Sequence, residues 1–239
     1  MILLNFLLAA NLGSGNPFLV NSEIIFLVFG PETRITEIPA NPGPEDRAYI
    51  VIKSIIASIE FKYINFSMII WIASYPKSGN TWIRSIICSM LYSHNGIFNF
   101  DLLEKIKQFP NRRSFKDFTS DFHNINELKK FWIPAQEKVN LDQKIKFFKT
   151  HHINCKIDSF PFTDKSNTLA TIYIVRDPRS LVNSISNHFS KTSEESKNFL
   201  FTNKVIGTKD TSLNNNEILT PLGSWSDHYN YWTNKNENL

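Results

Sequence analysis

Ile70-Trp71-Ile72-Ala73-Ser74-Tyr75-Pro76-Lys77-Ser78-Gly79-Asn80-Thr81-Trp82-Ile83-Arg84 carries three local signals in one stretch. The apolar run from Met68 to Ala73 predicts a buried strand. Pro76 and Gly79 break it. From Thr81 the apolar residues take helical spacing, at Ile83, Ile86, Ile87, Met90 and Leu91, so a helix is expected next. A strand, a tight polar loop and a helix N-terminus together make an anion site. The first N–H groups of a helix have no acceptor within it, and its dipole turns the positive end toward the loop. Lys77 adds a full charge, Ser78, Asn80 and Thr81 add short donors, and Gly79 lets a phosphate approach the backbone. Trp82 offers a flat face to a base. The stretch reads as a phosphate cradle beside a nucleotide shelf.

The rest of the chain suits such a site. Its 239 residues fit one domain, or one domain with an extension. Hydrophobic residues make up 42% and aromatics 13%, which argues for a packed core and against disorder. The net charge of +4 suits an anionic small molecule, and no Lys/Arg cluster is dense enough to argue for nucleic acid. Cys88 falls in the apolar helix and reads as a buried thiol; Cys88 and Cys155 form no metal-binding pattern and suit a reducing compartment. No apolar run is long enough to span a bilayer, and the short apolar Met1–Ala10 lacks a basic flank.

Residues 1–67 differ in composition from the remainder of the chain. They contain Gly13-Ser14-Gly15-Asn16-Pro17 and the Pro-rich 39–44, and carry six acidic against four basic residues. They read as an extension of unknown role, with Met68 a candidate natural start, and 68–239 as the domain proper. Within that domain 97–147 is rich in Phe and Lys, with a short helix expected over Asn124–Trp132. Lys146–Thr150 and Ala170–Val175 read as strands. Asp177 caps a helix that has Pro178 at its first position and Leu181, Val182, Ile185 and Phe189 on its apolar face. Residues 190–217 read as a long polar loop. Ser224–Asp227 resembles a capping box, followed by Trp225, His228, Tyr229 and Trp232 on one helical face, expected to pack in the core. Strands alternating with helices imply an α/β domain with a mainly parallel sheet.

The loop is not a Walker A motif, which places Lys directly after its last Gly; here Lys77 precedes Gly79 by two residues and no Gly opens the loop. Tyr75-Pro76-Lys77-Ser78-Gly79-Asn80-Thr81-Trp82 instead resembles the 5′-phosphosulfate loop of the cytosolic-type sulfotransferases, which use 3′-phosphoadenosine 5′-phosphosulfate (PAPS). Three further segments resemble that family in the right order. Phe147-Phe148-Lys149-Thr150-His151 resembles its Lys-Thr-His motif, Val175-Arg176-Asp177-Pro178 through Ser184 its 3′-phosphate motif, and Gly223-Ser224-Trp225-Ser226-Asp227-His228 with Trp232 its Gly-Ser-Trp-x-x-His-x-x-x-Trp signature. The resemblance covers roughly 68–239 and implies a P-loop-like, mainly parallel sheet flanked by helices, of the sulfotransferase and nucleoside-kinase kind. Golgi-type relatives would need a membrane anchor and carry Arg at the place of Lys77, so a cytoplasmic protein is the expectation.

The resemblance implies transfer of a sulfuryl group from PAPS to a hydroxyl or amine of a small acceptor, with no metal required. His151 is then the general base, Lys77 stabilises the leaving oxygen and Lys149 holds the transferring sulfonate. Lys77, Ser78, Gly79, Asn80, Thr81 and Trp82 bind the nucleotide, and Arg176 and Ser184 its 3′-phosphate. The adjacent His152 reads as structural, as does His228. The chain stops seven residues after Trp232, where relatives continue into an Arg-Lys-Gly loop, and Leu222 stands where many have Tyr. The domain is therefore expected to be incomplete at its C-terminus, and the alternative is a non-catalytic sulfotransferase-like fragment with weak or no nucleotide binding. A P-loop kinase is disfavoured, because no Gly-Lys-Ser/Thr and no second-strand Asp offer a magnesium site.

Overall fold

A computed structural model describes residues 18–21, 24–29, 68–142, 144–207 and 216–233, the first two segments as backbone strands. The Gly13-Ser14-Gly15 piece and the Pro-rich 39–44 lie outside the described residues. In chain order the elements are β1 (Phe18–Asn21), β2 (Ile24–Phe29), β3 (Ile69–Ser74), α1 (Asn80–Tyr92), α2 (Arg112–Phe115), α3 (Ile125–Leu128), α4 (Trp132–Asn140), β4 (Lys146–Thr150), β5 (Lys156–Ile157), β6 (Phe160–Pro161), β7 (Thr168–Arg176), α5 (Pro178–Phe189), α6 (Ser193–Phe201), β8 (Val205–Ile206), β9 (Thr220–Pro221) and α7 (Trp225–Thr233). Two 3-10 turns, Phe100–Lys105 and Lys129–Phe131, complete the set.

The main sheet has the order β1-β2-β7-β3-β4. Strands β2, β7, β3 and β4 run parallel, and β1 closes one edge antiparallel. The fold is thus α/β with a mainly parallel sheet flanked by helices. All six residues of β3 are buried, as a central parallel strand covered on both faces requires. Alternate side chains sort into two cores. Ile70 and Ile72 join Ile172, Ile174 and Phe147 against Ile83, Ile86 and Ile87 of α1. Ile69, Trp71 and Ala73 join Tyr173 against Phe109, Phe115, Trp132, Phe162 and Trp232. Phe109, Phe115 and Phe147 of the Phe-rich 97–147 are core residues.

The parallel register brings the carboxyl ends of three strands together. Ala73 of β3 lies opposite Thr150 of β4 and Tyr173 of β7. The chain builds β3 first, places β4 on one side of it, then crosses to place β7 on the other. Such a reversal opens a crevice at the strand ends, where ligands of open α/β sheets bind.

Two expectations need correction. The short helix expected over Asn124–Trp132 is three consecutive pieces, α3, a 3-10 turn and α4, that run on to Asn140. Residues 190–217 are not a continuous loop, because they hold α6 and β8. Helix α6 opens with a full capping box, Thr192 with Glu195, that the Lys-, Ser- and Asn-rich composition conceals. Residues 208–215 of that stretch lie outside the described residues. Among the described residues no helix is long and apolar enough to cross a membrane.

Candidate functional site

The loop between β3 and α1 has the backbone of an anion cradle. Ser78 N–H donates to Tyr75 O at 3.3 Å and closes a turn. Lys77 (φ 69°) and Gly79 (φ 107°) both adopt left-handed backbone, which favours glycine and marks the lysine as held by its surroundings. Gly79 is the N-cap of α1, and no side chain caps the helix. The N–H groups of its first turn are therefore left for an outside acceptor. The Ser78 hydroxyl is buried and has no partner. A buried donor without an acceptor, uncapped N–H groups and a half-buried lysine fit one oxyanion.

The other loop residues divide their tasks. Asn80 is buried, and its side-chain Nδ2 donates inward to Ile72 O at 2.9 Å and Ser74 Oγ at 3.1 Å. Its amide nitrogen ties α1 back to β3, which leaves its backbone N–H as the group that can face a phosphate. Thr81 is exposed at the mouth, and Trp82 packs partly against the α1 core. Tyr75 is buried and donates to Phe199 O at the end of α6 at 3.0 Å, which anchors the loop from the side.

Strand β4 delivers Lys149 and then His151 beside this loop. His151 Nδ1 lies 2.7 Å from Ser74 O and 3.3 Å from Ser74 Oγ. A carbonyl oxygen only accepts, so Nδ1 carries the proton and Nε2 keeps its lone pair. Burial first, then the Lys149 ammonium, hold the imidazole well below the ordinary histidine range, with the Ser74 bond opposing. The ring is neutral at pH 7. Lys149 is pushed down to about 8, by burial first, then by Arg84 and Lys77, with Glu217 opposing.

Arg84 is a member of the site that sequence reasoning missed. Its Nη2 donates to Leu103 O and Ile106 O, both at 2.8 Å, while its Nε is buried without a partner. The clamp fixes the segment whose next residues hold β4. Lys149 N–H donates to Lys107 O at 2.9 Å and Phe109 N–H to Lys149 O at 2.9 Å. A basic residue on the helix just past the cradle was the one signal for it. Ser74 and Tyr173 carried none, since both read as ordinary strand residues.

His152 is wholly buried, stacked on Phe162 at 3.9 Å and edge-on to Trp132 at 4.6 Å. Burial drives it down to about 3. At the end of β7, Arg176 reaches back so that Nη1 lies 3.4 Å from Lys77 O. Asp177 caps α5 through Arg179 N at 2.8 Å and pairs with the Arg179 side chain, which leaves Arg176 to the loop. Ser184 is half-buried two turns along α5; Arg176, not Ser184, is the member of that pair brought to the loop. Among the described residues no group of three or more His, Cys, Asp or Glu is arranged to hold a metal.

The family profile described as "Sulfotransferase domain" matches residues 68–238. Sulfotransferase 1E1 of Rattus norvegicus is 28% identical over 174 residues, covering 70% of this chain and 48% of that protein. The chain thus spans about half the length of that relative. With a family match over most of its length, and with the β3–α1 loop, the Lys-Thr-His segment and Arg176 gathered at the carboxyl ends of neighbouring strands, the chain belongs to the sulfotransferase family.

Proposed function

We propose that the domain moves a sulfuryl group from PAPS to a hydroxyl or amine of a small acceptor, with His151 as general base. The observation that carries this reading is the junction of two devices at one strand end. Ser74, the last residue of β3 before the cradle, also holds His151 through Nδ1, and so leaves Nε2 bare.

Each residue then has a task. His151 Nε2 takes the proton of the acceptor as the acceptor atom bonds to sulfur. Lys77 and the first N–H groups of α1 meet the charge that grows on the bridging oxygen as the old S–O bond breaks. Lys149 holds the sulfonate oxygens. Arg176, with Ser184, holds the 3′-phosphate. The products are the sulfated acceptor and 3′-phosphoadenosine 5′-phosphate. The protonation states are suited to this order of events. Lys149 and Arg84 set positive charge near a neutral imidazole, and an arriving anion offsets that charge and raises the basicity of His151 when it is needed.

The test is calorimetric titration with 3′-phosphoadenosine 5′-phosphate and with AMP, followed by transfer assays on a panel of phenols and amines. A charge-assisted contact is worth roughly 1.5–3 kcal/mol, so the 3′-phosphate should raise affinity about tenfold or more, and Arg176→Ala should erase that preference. Equal affinity for both nucleotides would overturn the 3′-phosphate assignment. Binding without transfer would favour the alternative, a nucleotide-binding sulfotransferase-like domain without turnover.

A further inference from the structure

The segment that carries His151 is held by more than its strand. His152 N–H donates to Thr150 Oγ1 at 3.0 Å and Ile153 N–H to Pro221 O at 2.9 Å. From α7, Trp232 Nε1 donates to His152 O at 2.9 Å, and His228 Nε2 lies 3.2 Å from His151 O. His228 and Trp232 are one turn apart, so they share a helix face and meet consecutive carbonyls. Ser224 sets that turn by accepting Asp227 N–H at 3.1 Å.

His228 differs from the other three anchors, because both of its ring nitrogens are engaged. The His151 carbonyl only accepts, so His228 Nε2 carries the proton. Nδ1 then holds a lone pair, and it accepts from Tyr173 OH at 2.9 Å. Tyr173 lies on β7 opposite Ala73, the neighbour of Ser74. A chain of donors therefore runs from the Tyr173 hydroxyl through His228 to the His151 carbonyl. The His151 ring in turn donates to Ser74 O. Residue 151 is gripped at its carbonyl from α7 and at its ring from β3. Both ring nitrogens of this buried imidazole are matched, whereas Nε2 of the equally buried His152 has no partner.

We infer that His228, aligned by Tyr173, is a positioning residue that holds the His151 peptide so that the His151 ring keeps its Nδ1–H form and aims Nε2 at the acceptor. The inference rests on the reading of His151 as the base. It assigns to the α7 signature a task at the reaction centre, carried out through another residue and not by contact with substrate.

The test uses the full chain and the variants His228→Phe, His228→Gln and Tyr173→Phe. Two readouts are taken: steady-state transfer to a phenol, and nitrogen-15 spectra of the imidazoles in the nucleotide-free protein. His228→Phe keeps the ring and removes both bonds. It should lower kcat about ten- to a hundredfold, the range expected when a reacting group is slightly misplaced. Acceptor KM and nucleotide affinity should stay within about twofold, because His228 is wholly buried behind the His151 peptide. The His151 spectrum should change from one Nδ1–H tautomer to a mixture. His228→Gln restores a donor near the Nε2 position and should recover most of the loss. A folded His228→Phe variant with unchanged kcat and an unchanged His151 spectrum would overturn the inference. If that variant does not fold, Tyr173→Phe decides: a mixed His151 tautomer supports the chain of donors, and a single one refutes it. If the unmodified chain binds no nucleotide and transfers no sulfuryl group, the functional reading fails, while the His151 spectra still decide the positioning claim.

Discussion

Lys149 and His151 stand two residues apart, and the proposed reaction needs them in opposite protonation states. The lysine is useful charged and the histidine neutral, yet burial pushes both toward neutrality. These two shifts set the sign of the pH dependence. His151 stays a base well below pH 6.5, so kcat/KM for the donor should show no acid limb near that value. Lys149 loses its proton as pH rises through about 8, so kcat/KM should fall there. Lys149→Arg keeps its charge at any working pH and should carry that alkaline limb upward; a limb that stays near 8 in this variant belongs to another group. Substituting the proposed base should separate turnover from binding. His151→Ala should lower kcat about 10²- to 10⁴-fold with little change in nucleotide affinity. His152→Ala should act in the reverse way. It empties a stacked, buried site against Phe162, so the thermal midpoint should drop while the folded protein still turns over.

At the scale of elements, α1 and α5 show how a helix start serves a site. Helix α5 is capped in the ordinary manner, by Asp177 with Pro178 at its first position. Asp177→Ala should therefore cost about 0.5–2 kcal/mol of stability, measured by urea unfolding. Helix α1 leaves its cap position to Gly79 at φ 107°, and no side chain takes its first N–H groups. Gly79→Ala should strain the backbone and set a methyl group at the cradle, with a larger loss in nucleotide affinity than in helix stability. Equal affinity in this variant would mean that the phosphate lies elsewhere. Helix α6 has a supporting task. Near its end the Phe199 carbonyl accepts from both Tyr75 OH and the Lys204 ammonium, which also donates to Thr202 O at 2.7 Å, so the cradle is tied to an element more than a hundred residues away.

The whole molecule joins segments on both sides of residue 68. The family match begins there, yet β2 pairs in parallel with β7 from Ile24↔Thr171 to Phe29↔Arg176 and covers the edge of the strand that carries Arg176. Removal of residues 1–67 should expose that edge and lower the thermal midpoint or promote association, as unpaired strand edges do. An unchanged midpoint and nucleotide affinity in the shortened chain would mark 1–67 as separable. The buried histidines set a second global property. His152 and His228 are held at about 3 by burial, against an ordinary value near 6.5. The native state refuses a proton that the unfolded chain accepts below that value. Stability is fully present above pH 6.5 and falls as pH drops toward 3, by up to about 1.4 kcal/mol per pH unit for each histidine. Chemical unfolding at pH 7 and at pH 5 should show that loss, and Trp232→Phe, which leaves both imidazoles in place, should not remove it.

Local rules suffice where the signal lies within a few neighbouring residues. The switch from a β-branched run to helical spacing at 68–91 was legible as β3 and α1, and so were the Asp177-Pro178 start of α5 and the Ser224 start of α7. The order of the motifs carried the family, and the match over 68–238 bears it out. The polar composition of 190–217 hid α6, because its anchors are non-local: Tyr75 on the Phe199 carbonyl, and Leu200 in a core with Leu181, Ile185 and Leu222. No local pattern could place Arg84 beside Lys149 or Tyr173 beside His228, since each pair joins elements distant in sequence. The sequence by itself determined which strands, helices and reactive groups the chain can form. The tertiary structure alone decided which groups meet, because a parallel sheet sets its neighbours by register and crossover, and protonation depends on the burial and charge found where they meet.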